Sequence, residues 1–396
     1  MVYTDPMLKT VVVAGHICLD IIPDLSSMPA GEFKTVFEPG SLIEIGPAAL
    51  STGGPVSNTG LALHRLGVPT RLMAKIGQDH LGQIVLDLIK SYDPHLAEGM
   101  VSDASTSTSY SVIISPPGID RIFLHSPGAN HTFEAHDVDL NLVQNAALFH
   151  FGYPPVMRKM YKNGGQELCK LLLSVKETGA TTSLDMCYPD PLSEGGKADW
   201  RAILRSVLPY VDIFLPSIEE LFISLEPDLY HQLNRAGNLL ENIDTDLLHQ
   251  LSSELLEMGV KVAGIKLGER GLYLRTAGRN MLEGMGRAKP DSLSRWAERE
   301  LWAPPFRVKV IGTTGSGDAA IAGFLAALLR GLYPEEAVTM ANAVAACNVE
   351  AADALSGIRS WKDTRERIQS GWEQLPLSVT SPSWEWNDLW QLWQVI

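Results

Sequence analysis

One segment constrains this chain more than any other: Gly312-Thr313-Thr314-Gly315-Ser316-Gly317-Asp318, followed by an Ala- and Leu-rich run from Ala319 to Arg330 and then Gly331. The run has Arg in its last turn and stops at a glycine, which predicts a well-punctuated helix. Arg307–Ile311, just before the turn, reads as a strand. A strand, a glycine-rich turn and a helix start bring unpaired amide hydrogens and the positive end of the helix dipole to one point. Glycines there let the backbone approach an anion closely, and a phosphate is the natural guest. Asp318 stands at the mouth of this site. Beside a helix N-terminus its carboxylate is expected to stay ionised near neutral pH. That suits a base which orients an attacking hydroxyl and takes its proton during phosphoryl transfer. The plainer reading is an acid that only favours the helix start.

The rest of the chain alternates. Val11–Gly15, Arg71–Ile76, Ala147–Phe151, Thr181–Asp185, Val211–Leu215 and Val262–Lys266 read as strands, with helical stretches between most of them. Ser57–Leu66 is a helix stopped by Gly67 and Pro69, and Asp79 is placed to cap the next one. Such alternation predicts a mostly parallel sheet covered on both faces. Two stretches fall outside it. Residues 21–50 hold short apolar pieces, Thr35–Phe37 and Leu42–Ile45, among Gly and Pro. Tyr110–Ile114 and Arg121–Leu124 flank Pro116-Pro117-Gly118 like a hairpin. Strands within about 17–50 and 105–125 can form a small separate sheet. Residues 276–304 are polar and locally basic and read as an insertion or mobile segment.

Composition excludes several classes. Apolar residues make up 45% of 396 positions, so a large core needs no staple. The net charge of −14 disfavours phosphate-backbone binding, which rests on Lys and Arg. The four cysteines form no C-x-x-C pair and read as buried thiols in a reducing compartment. No run is apolar enough to span a bilayer and the start lacks signal-peptide grammar, so a cytoplasmic protein with neither membrane nor nucleic-acid partners is expected. Neither a P-loop, G-x-x-x-x-G-K-[ST], nor a G-x-G-x-x-G after the first strand is present. The ten histidines are not expected to cluster as metal ligands.

Two signatures in order complete the pattern. The first is Gly53-Gly54-Pro55-Val56-Ser57-Asn58-Thr59-Gly60 running to Gly67, followed by Ile76-Gly77-Gln78-Asp79-His80-Leu81-Gly82; the second is Thr313–Asp318 with Gly323-Phe324. With both, the chain resembles the ribokinase-like, PfkB-type carbohydrate kinases from about residue 10 to 360. The resemblance implies a single domain over 1–396: a three-layer αβα fold with a mostly parallel central sheet and a small β-sheet lid. It also implies an ATP-dependent kinase of a sugar or sugar-like alcohol. Asp318 matches the family's base, and the amides of Gly315, Ser316 and Gly317 its anion hole. Asp20, Gly54 and Asn58 match positions that hold substrate hydroxyls. Thr313, Gly268, Gly271 and Asn342 fall on the nucleotide side. Glu220 matches the Glu of an N-x-x-E stretch that organises magnesium through water. His125, Gly128, Ala129 and Asn130 lie near substrate or at the lid hinge. Arg121 is expected to face solvent ahead of the phosphates.

Two positions depart from the family pattern. Ser217 replaces the Asn of N-x-x-E. Gly312 stands where the family has an Asp beside a monovalent-cation site, so a weaker response to potassium is expected. These departures keep open a kinase-fold sensor without useful catalysis, next to the kinase of a free sugar and, behind it, of a nucleoside. A homodimer through the lid is a further expectation of the resemblance. The Trp-rich tail, 380–396, lies outside it. Trp386, Trp390 and Trp393 have i, i+4, i+7 spacing with Leu389 and Leu392 alongside, which predicts one apolar helical face docked on the body.

Overall fold

The computed structural model describes residues 8–28, 39–40, 42–117, 121–236 and 239–396. The predicted piece Thr35–Phe37 and the hairpin residue Gly118 lie outside the described residues.

The alternation folds as one central ten-stranded sheet. In chain order the strands are β1 (Val11–Gly15), β2 (Cys18–Pro23), β3 (Ala48–Gly53), β4 (Thr70–Met73), β5 (Lys75–Gly77), β6 (Val101–Asp103), β7 (Tyr110–Ile114), β8 (Ile122–Ser126), β9 (Leu148–Gly152), β10 (Thr181–Asp185), β11 (Ile213–Phe214), β12 (Val262–Lys266), β13 (Leu272–Thr276), β14 (Glu300–Ala303), β15 (Trp384–Asn387) and β16 (Leu392–Val395). The central order is β15-β16-β14-β13-β12-β11-β10-β9-β1-β4. From β4 to β12 neighbouring strands run parallel; from β12 to β15 they run antiparallel. The mostly parallel sheet is thus a parallel body with an antiparallel extension.

Side chains of β1 divide the core. Val11 and Val13 pack on one face with helices Pro55–Arg65, Ser316–Leu329 and Pro334–Asn348. Val12 and Ala14 pack on the other with helices Gln166–Glu177, Trp200–Val207, Ile218–Leu225 and Thr245–Glu257. Burial on both faces explains why these strands are continuous apolar runs rather than alternating ones. Among the described residues no helix is long and apolar enough to cross a membrane.

Both stretches outside the alternation form the lid, a four-stranded sheet in the order β3-β2-β7-β8. Residues 42–47 add no strand to it, and Leu42 is almost fully exposed. The helix signals hold: Asp79 accepts from the Gly82 amide at 2.8 Å, and Gly67 and Gly331 take positive φ at helix ends.

Three expectations change. Residues 276–304 are no mobile insertion. They run through two short helices into β14, inside the sheet, and Trp296 is buried against Phe324. Their basic side chains serve the interior: Arg287 donates to the carbonyls of Ala146, Val143 and Thr178, and Arg299 pairs with Glu335 at 2.8 Å. Arg307–Ile311 forms no strand: beyond a bridge between Phe306 and Gln374, the amides of Arg307 and Ile311 bond the carbonyls of Glu373 and Val349, each at 2.8 Å. The tail is a β-hairpin, not a helix. Asn387 accepts from the amides of Leu389 and Trp390 at 3.0 and 3.2 Å, turning the chain where a helix would continue. Trp386 and Trp393 then meet as a cross-strand pair at 5.7 Å. β16 adds to the edge of β14, so backbone pairing outweighs the helical spacing.

Candidate active site

The strand ends of the parallel body converge, as open α/β sheets require of a ligand site. Beyond β1 comes His16, beyond β9 Tyr153, at the end of β10 Asp185, and at the end of β12 Lys266. Facing them is the N-terminus of helix Ser316–Leu329, entered through Gly315 at φ +72°. A β-carbon on Gly315 would lie 2.7 Å from that of Ala354. The glycine therefore meets both a left-handed backbone and a close approach.

Asp318, buried in the first turn, accepts three hydrogen bonds from neutral donors. Asn58 Nδ2 reaches Oδ2 at 3.0 Å, the Tyr153 hydroxyl reaches Oδ2 at 2.9 Å, and Thr59 Oγ1 reaches Oδ1 at 3.1 Å. Three donors on one carboxyl favour its charged, acceptor-only form. The dipole expectation left out the opposing effect: burial pushes the Asp318 pKa up, while Asn58, Lys266, Tyr153 and Thr59 pull it back.

Lys266 is the one cation at this point of the cleft among the described groups that shift Asp318. Its Nζ lies 3.0 Å from Asp185 Oδ1 and 4.0 Å from Glu220 Oε2. A β-carbon at Gly317 would stand 3.1 Å from the same Nζ, so the ammonium sits directly against the glycine turn. Burial disfavours the charged lysine, but Asp185, Glu220 and Asp318 outweigh it and hold its pKa above the usual lysine range. Burial raises Asp185 and Glu220 in turn, with Lys266 opposing.

Glu220 also closes a capping box. Ser217 N donates to Glu220 Oε2 at 2.6 Å and Glu220 N donates to Ser217 Oγ at 3.2 Å. Serine in place of the family's Asn thus serves as an N-cap, and Glu220 fills the helix-start role.

Asp20, on lid strand β2, accepts from the Cys18 thiol at 3.3 Å, and burial pushes its pKa up to about 6. Gly54 takes φ +88°, and a β-carbon there would meet His16 Nδ1 at 2.5 Å and the His16 carbonyl at 2.7 Å. Asn58 gives its amide hydrogens to Asp318, while its buried Oδ1 has no protein partner. Of the residues expected on the nucleotide side, Gly268 and Gly271 have positive φ, and Leu267 N bonds the Gly271 carbonyl at 2.8 Å. Asn342 donates to the carbonyls of Ala303 and Pro304 at 2.9 and 3.1 Å, tethering the end of β14. The Ser316 amide closes a turn on the Thr313 carbonyl at 3.3 Å.

Arg121 departs from the solvent-first expectation. It leaves the lid and donates to Thr313 Oγ1 at 3.0 Å, tying lid to glycine turn. Sequence reasoning assigned no role to Tyr153, Thr59 or Lys266. The available signal was position: Tyr153 and Lys266 stand at carboxyl ends of parallel strands, and Thr59 lies one residue past Asn58. Tyr153 is also a non-glycine residue at φ +64°, a costly conformation held in contact with Asp318.

Comparison with known proteins gives concordant results. The model of the pfkB family carbohydrate kinases matches residues 8–361. An uncharacterized sugar kinase of Archaeoglobus fulgidus is 26% identical over 302 residues, 75% of this chain and 98% of the relative. The 2-dehydro-3-deoxygluconokinase of Bacillus subtilis is 24% identical over 360 residues, 87% of this chain and 95% of the relative. In fold, the chain is similar to fructokinase with bound ATP from Xylella fastidiosa, at TM-score 0.66 and 17% identity over 92% of this chain and 99% of the other. It is equally similar to Arabidopsis thaliana ribokinase complexed with ribose and ATP, at TM-score 0.65 and 19% identity over 92% and 99%. A match over 8–361, carrying the glycine turn, its aspartate and the lid, makes this chain a member of the pfkB family of carbohydrate kinases.

Proposed function

We propose that the protein transfers the γ-phosphate of ATP to a hydroxyl, primary first, of a sugar or sugar-like molecule. The observation that carries this reading is Asp318: a buried carboxyl oriented by three neutral donors, in the first turn of a glycine-entered helix, with an ammonium close by. Asp318 accepts the hydroxyl hydrogen of the acceptor as its oxygen attacks phosphorus. The proton ends on the carboxylate, the new O–P bond forms, and the bond to ADP breaks. The amides of 315–317 hold the phosphoryl oxygens, and Lys266 offsets part of their charge.

Asp20, Gly54 and the partnerless Oδ1 of Asn58 supply the substrate side, where sugar hydroxyls find complementary acceptors. Asp185, Glu220 and Asp318 outnumber Lys266, and burial raises all three carboxyls, so a divalent cation would offset the cost of ionising them together. Glu220 and Asp185 would hold magnesium through its waters, where it would supply charge neutralisation at the phosphates. The lid and its Arg121 link to Thr313 support exclusion of water, the competing acceptor. Exposed Ile122, Phe123 and Leu124 on β8 support pairing of two copies through the lid.

The relatives in sequence, a 2-dehydro-3-deoxygluconokinase and a probable fructokinase, support a free sugar or sugar acid ahead of a nucleoside. The test is ADP release across a panel of sugars, sugar acids and nucleosides, with Asp318→Asn beside the wild type. Asp318-dependent turnover on one acceptor is expected, with turnover in the variant down about 10²–10⁴-fold and ATP still bound. Near-wild-type turnover in the variant would sink the assigned role. Ligand binding without turnover in the wild type would replace the kinase by a sensor.

A further inference from the structure

Three side chains that the phosphotransfer does not use meet at the root of the lid. His16 follows β1, Cys18 opens β2, and His125 comes from β8. His16 and Cys18 are each 4% exposed, and one ligand atom from each of the three lies within 4.8 Å of the other two. The imidazoles face each other through Nε2, 3.4 Å apart. Two nitrogens bound to zinc at about 2.0–2.1 Å in tetrahedral geometry stand about 3.4 Å from each other.

Ser111 sets the polarity of the cluster. Its hydroxyl lies 2.9 Å from His125 Nδ1 and 3.7 Å from Cys18 Sγ. Accepting the Nδ1 hydrogen leaves the lone pair of His125 on Nε2, toward His16. Its own hydrogen is then shared between the Cys18 sulfur and the Asp20 carboxylate. This is the outer support that metal-ligating histidines and thiolates receive. A metal must displace the Cys18 proton, and Asp20, whose Oδ1 already accepts from the thiol at 3.3 Å, is placed to receive it.

We propose that His16, Cys18 and His125 form a site for a borderline-soft divalent cation of the zinc class, with water as fourth ligand. The nitrogen and sulfur donors select against magnesium and calcium, which take oxygen. On binding, the thiol S–H bond breaks, a sulfur–metal bond forms, and one proton is released with no change of oxidation state. The cation would fasten β8 of the lid to the end of β1. Binding is independent of the kinase reading; its consequence, inhibition by a lid held in place beside Asp20, rests on that reading.

The test titrates metal-free, full-length protein with cobalt(II), without nucleotide or sugar. One equivalent should bind, with the visible bands of four-coordinate cobalt and a sulfur-to-cobalt charge-transfer band, both removed by zinc. Cys18→Ser should lose the sulfur band. His125→Ala, on an exposed lid strand that leaves the core intact, should weaken affinity by at least about tenfold, the scale that even outer-shell losses reach. Zinc should inhibit wild-type turnover under saturating magnesium, reversibly on chelation, at concentrations at least about tenfold below those His125→Ala requires. A wild-type spectrum without the sulfur band, or one that persists unchanged in Cys18→Ser or His125→Ala, overturns the proposal. Asp318→Asn keeps the two ideas apart: it should lose turnover and retain the cobalt spectrum.

Discussion

The hydroxyl of Tyr153 donates to Oδ2 of Asp318 over 2.9 Å, and it does so from a left-handed backbone. The same oxygen receives Asn58 Nδ2. A hydrogen bond to a charged acceptor is worth about 1.5–3 kcal/mol. Tyr153→Phe is therefore expected to lower kcat by about 10–100-fold. It should also move the acid limb of the pH–rate profile upward, because the charged form of Asp318 loses a donor. A drop in kcat with no movement of that limb would mean that Tyr153 acts on packing instead.

Lys266 answers to two buried carboxylates, Asp185 at the end of β10 directly and Glu220 in the first turn of helix Ile218–Leu225 at the edge of contact. Removing one partner of such a pair leaves a charge stranded in the interior, at about 3–5 kcal/mol. Lys266→Met should lower the melting temperature accordingly. Lys266→Met combined with Asp185→Asn should recover part of that stability without recovering turnover. Recovery of both would confine the lysine to a structural role.

Asp20 should give the substrate side a pH dependence. Its folded pKa, about 6, is raised by burial above the ordinary carboxyl value. As a stability effect, the protonated form is the favoured one, so stability falls as pH rises from about 4 to about 6 through this group. As a binding effect the sign is opposite, because the carboxylate is the acceptor for sugar hydroxyls. The KM for the acceptor is expected to rise as pH falls below about 6, with little change in the KM for ATP. Asp20→Asn should show a high KM without that limb; a retained limb assigns it to another group.

Gly312 predicts a weak response to potassium. A β-carbon there would lie 2.9 Å from the carbonyls of both Ala351 and Ala352, so the backbone occupies the space a side chain would need. Activity in potassium should match that in an inert cation at equal ionic strength within about threefold, under 1 kcal/mol. A many-fold rise would show that the loop binds the ion without an aspartate. Gly312→Asp should cost stability rather than restore activation.

Local signals carried much of this protein. The glycine at 315, the aspartate at 318, the cap at Asp79 and the stops at Gly67 and Gly331 each act within a few residues of themselves, and each was legible. What was not legible depends on partners far along the chain. Asn58 meets Asp318 across 260 positions, and Arg121 meets Thr313 across 192. The tail shows the same limit. Its tryptophans satisfy a helical period and a strand period at once, and the open edge of β14 decides between them. Arg307–Ile311 has the β-branched composition of a strand, yet its end amides go to Glu373 and Val349, outside any strand.

That edge has a consequence for how the molecule is made. β14 lies between β13 and β16, and β16 is formed by residues 392–395. While the chain is being synthesised, β14 can pair with β13 long before β16 has emerged. Until residues 392–395 clear the ribosome, β14 presents an unpaired row of amides and carbonyls beside Trp302, the kind of edge that recruits other strands. Truncation within the hairpin would make this transient state permanent, so its first symptom should be self-association during expression, ahead of any loss of phosphotransfer.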